Sequence, residues 1–295
     1  MARYIFTSDL SGLGGGEMGL FYLVQQLSKK HDCCVLCRHE GKLPDLLQSH
    51  AVETHIVEYK DRHRPLSGLK KLEDFCCSYA PDSIISNDPT TSILCGIAIR
   101  RLAAKNYWIC HGQWYEFDIL KRSLLRHFDS EIFCVSQAVV DNLKKQGFKN
   151  CVLSYLGVPK NRFVDAQSAT LPKGNNETCK RIKFATIARF QVIKGQLKVV
   201  EAINLLKNEG YHFDFYFIGG SVFNSPEDDA YEKEVHELVD RYHLNSYVYF
   251  LGERSDVPNI MKALDVLVIP SDNESLGLVA IEAISSGLPL ISTPN

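Results

Sequence analysis

The sequence predicts a chain of two α/β domains, each a doubly wound parallel β-sheet covered by helices. Its 295 residues are long for one domain and comfortable for two. Short runs rich in β-branched and aromatic residues alternate with longer amphipathic segments, as expected where helices join parallel strands. The alternation stops around residues 157–181 and then begins again, which indicates a boundary between domains.

The first domain is predicted to span residues 1–160. Its predicted strands are short and apolar: RYIFTS, CCVLC, THIVEY, DSIIS, NYWIC, EIFCVS and CVLSY. Amphipathic helices are predicted between several of them, as at MGLFYLVQQLSKK and QAVVDNLKKQG. Nearly continuous apolar strands are typical of a parallel sheet that is buried on both faces.

A linker is predicted over residues 161–181, where prolines and a Gly-Asn-Asn turn interrupt the pattern. The second domain is predicted to span residues 182–295. Its strands are RIKFATIA, DFYFIGG, YVYFLG, DVLVIP and LPLIST, and its helices are GQLKVVEAINLLKNEG, DDAYEKEVHELVDRYH, DVPNIMKAL and LGLVAIEAISSG. Because ligands of such sheets bind at the carboxyl ends of the strands, we expect a site in a cleft between the domains.

Composition argues against several classes of protein. The net charge of −2 provides no basic field for binding nucleic acid. No apolar run reaches the ~18 residues of a membrane span, and we expect no secretory signal. The ten cysteines are scattered, and the single C-x-x-C, at Cys34 and Cys37, lacks a second pair for a zinc site. We therefore expect buried, reduced thiols in a cytoplasmic protein.

A glycine loop follows the first predicted strand. Residues 14–19, GGGEMG, satisfy the G-x-G-x-x-G spacing of a dinucleotide-binding turn, and Glu40 follows at a plausible distance. However, DLSGL intervenes between the strand and Gly14, and the motif alone is weak evidence. Three interpretations stay open: a dehydrogenase, a structural helix start, and a site for another ligand that carries phosphate.

Two cations mark the start of the second domain. In IARFQVIKGQ, Arg189 and Lys194 lie in the loop after a strand and at the start of a helix. Two cations beside a helix N-terminus suit a pyrophosphate. The alternative is that both are solvated loop charges.

Two glutamates stand eight residues apart near the end of the chain. Glu274 lies in a loop after a strand, and Glu282 lies within the apolar helical segment LGLVAIEAI. A carboxylate on such a helix is costly without partners, and the two hydroxyls of a ribose would supply them. The alternative is a glutamate at the helix edge that faces water.

Several segments follow in a familiar order. Glu274 and Glu282 form an E-x7-E pattern within SLGLVAIEAISSGLPLI, and IARFQVIKG precedes it with its Arg/Lys pair. The other segments of this pattern are LGGGEMGLFYLVQQLS, WICHG, CVSQAVVDNL, YLGVPKNRF, FIGG and FLGER. Over nearly the whole chain, the sequence resembles retaining glycosyltransferases of the GT-B fold, specifically glycosyltransferase family 4. The E-x7-E and Arg/Lys blocks are the specific parts of this resemblance.

The resemblance implies a role for each matching residue. Glu282 would hold the ribose of a sugar nucleotide and Glu274 the donor sugar. Arg189 and Lys194 would neutralise the leaving diphosphate.

The remaining residues implied by the resemblance surround that donor. Backbone N–H groups near Gly277 and Leu278 would add the field of a helix N-terminus. His111 would contact the donor sugar from the first domain, and the loop with Gly15 and Gly16 would approach the donor phosphate or the acceptor.

The implied reaction is metal-independent transfer of a hexose, with retention, from a nucleotide-diphosphate sugar to a glycan or lipid-linked acceptor. The family often builds bacterial surface polysaccharides. No cofactor or metal is expected, since the sequence contains no D-x-D and its nearest approach is DNE at residues 272–274. An epimerase of the same fold and a non-catalytic protein that binds nucleotide sugars are the alternatives.

Two further expectations concern the membrane and the end of the chain. In EFDILKRSLLRHF, apolar residues alternate with cations, which suits either a helix packed on its sheet or a peripheral contact with the inner face of the plasma membrane.

The family normally continues beyond a strand such as LPLIST. We therefore expect that the chain is a fragment whose second domain is incomplete.

Overall fold

The computed structural model describes residues 1–60, 65–173, 181–220 and 225–294. They form two compact units, Met1–Gly157 and Val158–Asn295, each with its own parallel sheet. The predicted fold class, two α/β parallel-sheet bodies, is confirmed. The predicted Gly-Asn-Asn turn lies outside the described residues.

The first unit contains a seven-stranded sheet in the order β3-β2-β1-β4-β5-β6-β7. Its strands are β1 Arg3–Ser8, β2 Asp32–Cys37, β3 Glu53–Ile56, β4 Ser83–Ser86, β5 Lys105–Cys110, β6 Glu131–Cys134 and β7 Cys151–Leu153. Its helices are α1 Gly15–Leu27, α2 Lys42–Ser49, α3 Pro65–Tyr79, α4 Pro89–Ala98, α5 Ile119–Phe128 and α6 Gln137–Lys145. The seven runs predicted as strands all form strands.

The second unit contains a five-stranded sheet in the order β10-β9-β8-β11-β12. Its strands are β8 Ile182–Ile187, β9 Phe213–Ile218, β10 Val248–Phe250, β11 Val266–Ile269 and β12 Leu290–Ser292. Its helices are α7 Lys160–Val164, α8 Gln196–Asn208, α9 Pro226–Arg241, α10 Val257–Ala263 and α11 Leu278–Ser286, with a 3₁₀ turn at Val192–Lys194. Phe213, Phe215 and Phe217 of β9 lie on one face of the strand, in this unit's hydrophobic core.

A linker was predicted over residues 161–181, and the described residues 161–173 contain most of α7, which packs against α10 and α11 of the second unit. Phe163 is buried, with 1% of its surface exposed. The Tyr216 hydroxyl donates a hydrogen bond to the carbonyl of Pro172 at 2.6 Å. The two units divide after Gly157, a few residues before the predicted boundary, because these contacts tie the segment to the second unit.

Helix α5 is the segment for which two interpretations were open. It buries Leu125 in the first unit and packs Phe128 so closely against Gly96 that a Cβ at residue 96 would lie 2.4 Å from the phenylalanine Cβ. Ile119 and Leu120, at its start, are 82% and 70% exposed. The buried side fits a helix packed within the first unit, against α4. Among the described helices, none is long and apolar enough to span a membrane.

A buried carboxylate lies between α5 and β6. Asp129 is 5% exposed and accepts hydrogen bonds from Ser92 Oγ at 2.5 Å and Asn106 Nδ2 at 2.7 Å. Both bonds reach Oδ1, while Oδ2 is buried without a hydrogen-bond partner. Burial raises the pKa of Asp129 to about 7, and the two hydrogen bonds oppose this only in part.

The stability of the first unit should therefore depend on pH through Asp129. Because the pKa is raised on folding, the folded state binds more protons than the unfolded state between the two pKa values. Stability is then lost as the pH rises from about 4 to above 7, by up to about 4 kcal/mol for a shift of this size. Asp129→Asn should flatten this slope.

Urea unfolding followed by tryptophan fluorescence can measure how the free energy of unfolding of the first unit depends on pH. Trp108 and Trp114 are the chain's two tryptophans, and both lie in this unit. Asp74→Asn, at an exposed position on α3, is the matched control and should keep the slope. An Asp129→Asn protein with the original slope would contradict the assignment.

Candidate active site

Each sheet has one point where its strand order reverses. In the first sheet it lies between β1 and β4, and in the second between β8 and β11. Loops at the carboxyl ends of such strands diverge to opposite faces and leave a crevice for ligands. The predicted site residues follow strands at or beside these points: the glycine loop follows β1, Arg189 and Lys194 follow β8, and Glu274 follows β11.

The glycine loop forms the start of α1. Gly14 is the N-cap residue, and Gly15 and Gly16 are the first two residues of the helix. The N–H of Gly14 donates to Glu17 Oε2 at 3.1 Å, and Glu17 is 7% exposed. The helix therefore supplies its own anion at its N-terminus, so the amide of Gly14 is engaged within the protein rather than free for a phosphate.

His111 lies directly after β5 and packs over the glycine loop. A Cβ placed on Gly16 would lie 3.5 Å from the His111 ring, which is ordinary contact. The ring Nε2 lies 2.6 Å from Oδ1 of Asn87. Burial lowers the pKa of His111 to about 4, so the imidazole is neutral at physiological pH. The structure thus brings together His111 and Gly16, two of the predicted residues.

In the second unit, a glycine brings two loops together. Gly195 has φ of +68° and caps α8, and a Cβ there would lie 2.4 Å from the carbonyl oxygen of Pro270. The N–H of Asp272 donates to the carbonyl of Ile193 at 2.9 Å. The loop after β8 therefore lies against the loop after β11.

This contact joins two predicted residues that are far apart in sequence. Lys194 Nζ lies 2.6 Å from Glu274 Oε2, and the two side chains are 20% and 22% exposed. Lys194 is therefore a partly buried, paired cation rather than a solvated loop charge. Arg189 is also partly buried, and its carbonyl accepts a hydrogen bond from Gln196 Nε2 at 2.8 Å.

The second glutamate lies on the buried side of α11. Gly277, with φ of +69°, is the N-cap, and the helix begins at Leu278. Glu282 is 9% exposed, whereas Ile284 on the same helix is 68% exposed. This reverses the usual distribution of polar and apolar residues, and it does not fit a helix-edge glutamate that faces water.

Two residues that lie beside predicted site residues, one in each unit, were not themselves predicted. Asn87 holds His111, and Lys198 pairs with Asp272 beside the Lys194–Glu274 contact. The position of Asn87 directly after β4 was the available signal, because it lies next to the strand that ends before His111. Among the described residues, no group of three or more His, Cys, Asp or Glu side chains is arranged to hold a metal ion.

Comparison with known families gives two matches that together span most of the chain. Residues 13–162 match Glycosyltransferase Family 4, and residues 167–295 match Glycosyl transferases group 1. The first match alone covers just over half of the 295 residues. The chain belongs to glycosyltransferase family 4. This membership argues against the dehydrogenase interpretation of the glycine loop.

Similar proteins include one that matches along almost the whole chain. It is an Escherichia coli UDP-Gal:alpha-D-GlcNAc-diphosphoundecaprenol alpha-1,3-galactosyltransferase, 28% identical over 96% of this chain and 76% of its own length. The lipopolysaccharide core biosynthesis mannosyltransferase LpsB of Rhizobium meliloti is 36% identical over 22% of this chain. That match spans 18% of LpsB, and two further matches, to EpsF of Bacillus subtilis and WaaG of Escherichia coli, span 27% and 25% of those proteins.

Solved structures show the same architecture. The crystal structure of Anabaena HepE in complex with UDP and glucose superposes with a TM-score of 0.83 at 19% identity, over 99% of this chain and 80% of that chain. At this identity the likeness establishes the GT-B fold.

Proposed function

We propose that this chain is a retaining glycosyltransferase that moves a hexose from a nucleotide-diphosphate sugar to a glycan or lipid-linked acceptor in bacterial surface polysaccharide synthesis. The observation that carries this proposal is the buried carboxylate of Glu282 on α11, the helix that follows the loop in which Glu274 pairs with Lys194. The names of relatives support the substrate class, since they include a mannosyltransferase of lipopolysaccharide core biosynthesis and a galactosyltransferase that uses UDP-Gal.

The donor would extend along the second unit from α11 to the loop after β8. Glu282 would accept hydrogen bonds from the ribose hydroxyls, which suits a carboxylate sheltered from water. Glu274 would accept from hydroxyls of the donor sugar. The direct contact of Glu274 with Lys194 places an anionic and a cationic group about one hydrogen bond apart, so sugar and diphosphate can be contacted from adjacent side chains.

Departure of the diphosphate is the step that the positive groups would assist. Negative charge grows on the leaving oxygen as the bond to the anomeric carbon breaks. Lys194, Arg189 and the N-terminal amides of α11 would stabilise it, and such stabilisation is usually the largest contribution to catalysis. These groups would replace the metal ion that other glycosyltransferases hold with D-x-D.

Retention would follow from attack on the face that the leaving group vacates. The bond between the anomeric carbon and the phosphate oxygen breaks, and the acceptor hydroxyl oxygen forms the new bond to that carbon. The proton of the hydroxyl passes to the departing phosphate oxygen. No protein nucleophile is required, so Glu274 would contact the sugar without forming a covalent bond to it.

A thermal-shift screen with UDP-, GDP- and ADP-sugars, followed by a transfer assay with the best donor, tests the proposal. One donor class should raise the melting temperature, because a ligand that binds only the folded state stabilises it. Transfer should proceed in EDTA, and NMR coupling at the anomeric proton should show retention. Stabilisation by no nucleotide sugar, or activity that EDTA abolishes and manganese restores, would contradict it. An epimerised donor without a new glycoside would indicate the epimerase alternative.

A further inference from the structure

Asn87 contacts a candidate catalytic side chain and has no role in the chemistry described above. It directly follows β4, as His111 directly follows β5, and these strands are neighbours in the sheet. The strand ends therefore place the two side chains beside each other, with Asn87 Oδ1 2.6 Å from His111 Nε2.

The backbone of Asn87 is held on both sides. Its own N–H donates to the carbonyl of Thr7 at 3.0 Å, and the residue is 8% exposed. The next residue, Asp88, caps α4 by accepting from the N–H of Thr91 at 2.9 Å. A side chain on such a fixed backbone can hold its partner in one orientation.

The His111 ring is held at its face as well as at its edge. Residue 16 has no side chain, and the ring occupies the space against it, with Cγ and Cδ2 3.5 Å from the position of a Cβ. Asn87 fixes the Nε2 edge. The opposite ring nitrogen, Nδ1, is the one left to contact a ligand.

We propose that Asn87 is a positioning residue for sugar transfer: its side-chain oxygen accepts the Nε2–H of His111, so that the neutral ring offers Nδ1 as a hydrogen-bond acceptor to a hydroxyl of the donor sugar. This inference rests on the proposed function. A carboxamide oxygen can only accept a hydrogen bond, so it selects the tautomer that carries its proton on Nε2. A neutral acceptor also avoids repelling the positive charge that develops on the sugar in the transition state.

The side chain of residue 87 faces Nε2 and therefore affects which ring nitrogen carries the proton. The neighbouring elements also carry Glu17 on α1 and Asp88 at the cap of α4, and Lys60 Nζ lies 3.2 Å from Oδ1 of Asp88. Burial disfavours an imidazolium and lowers the pKa of His111. The substitution Asn87→Asp would place a further carboxylate directly on Nε2.

Asn87→Asp should therefore bring a titration into the neutral range. The pair of imidazole and introduced carboxyl group takes up one extra proton at lower pH. If that proton sits on the ring, the imidazolium carries a proton on Nδ1. If it sits on the introduced carboxyl group, the acid donates to Nε2, and the ring's own proton moves to Nδ1. In either case Nδ1 carries a proton at low pH and cannot accept a hydrogen bond. Raising the pH removes the extra proton and makes Nδ1 an acceptor again.

Two measurements on the full chain test the proposal. Nitrogen-detected NMR without ligand should show His111 as the Nε2–H tautomer, with no titration between about pH 5 and 9. In Asn87→Ala this preference should be lost. A wild-type ring protonated on Nδ1 would overturn the proposal.

The second measurement is the pH profile of kcat. Asn87→Asp should transfer sugar at least about tenfold more slowly at pH 6 than at pH 9, whereas the unaltered protein should show no such limb. Asn161→Asp, the same change at an exposed site in α7, should behave like the unaltered protein. A flat profile for Asn87→Asp would overturn the role in transfer even if NMR shows the expected tautomer. Absence of both transfer and stabilisation by any nucleotide sugar in the unaltered protein would instead refute the proposed function.

Discussion

Replacing Lys194 with alanine is expected to lower kcat by about 10²–10³-fold, the range seen when one preorganised group that stabilises transition-state charge is removed. The ammonium group is partly buried and paired with Glu274 at 2.6 Å, so it is already positioned beside the group assigned to the sugar. Charge on the leaving diphosphate grows towards the transition state. We therefore expect a much smaller change in the KM for the donor than in kcat.

Lys198, which follows Lys194 closely in the sequence, provides a matched control. Lys198 lies in the first turn of α8 and pairs with Asp272 in the loop after β11, but these side chains are 57% and 51% exposed. Surface pairs of this kind contribute little, so Lys198→Ala should retain most of the turnover. Equal losses in both variants would indicate a general effect of positive charge near these carboxylates. A Lys194→Ala protein with unchanged kcat and an unchanged melting temperature would remove Lys194 from the mechanism.

Strands were easier to predict than the shorter or less regular helices. All twelve strands found among the described residues were predicted, because each falls in a compact, largely apolar run between polar segments. Helices α2, α3 and α4 were not. Seven of the ten residues of α4 are buried, so its sequence lacks the apolar stripe of a half-exposed helix, and periodicity cannot distinguish it from a buried strand. The sequence nevertheless contains two signals for the start of α4, because Asp88 is the N-cap and Pro89 occupies the first position of the helix.

The short helix α7 was missed for a different reason. Its five residues stand among prolines and polar residues that are typical of a linker. Phe163 is held by tertiary contacts with the second unit, and α7 packs against α10 and α11. Such long-range contacts leave no local pattern in the sequence.

The site residues could likewise be selected one by one from the local sequence, but their contacts with each other could not be predicted from it. Glu274 and Lys194 could each be selected from their position after a strand, but their pairing spans 80 residues and depends on the neighbouring positions of β8 and β11. The requirement for glycine at 195 likewise depends on the approach of Pro270. Asn87 could not be distinguished from an ordinary turn asparagine until the structure showed its hydrogen bond to His111.

Replacing Glu282 with alanine is expected to weaken binding of the free nucleoside diphosphate by about 1.5–3 kcal/mol, which corresponds to a Kd raised roughly 10- to 150-fold. The reason is the loss of a charged acceptor for the ribose hydroxyls, at a position sheltered on α11 where water replaces it poorly. Isothermal titration calorimetry with the diphosphate selected by the thermal-shift screen would measure the change. Glu201→Ala, at an exposed position on α8, is the matched control and should bind normally.

The ribose contact itself can be separated from a general loss of binding. The unaltered protein should bind the 2′-deoxy form of the same diphosphate more weakly than the ribose form, because one donor to Glu282 is missing. Glu282→Ala should bind both forms with nearly equal affinity, since the acceptor that distinguishes them is gone. Glu282→Gln, which retains one oxygen acceptor, should fall between the two proteins. If Glu282→Ala still prefers the ribose form by the original factor, another group reads the 2′-hydroxyl and the role assigned to Glu282 is wrong.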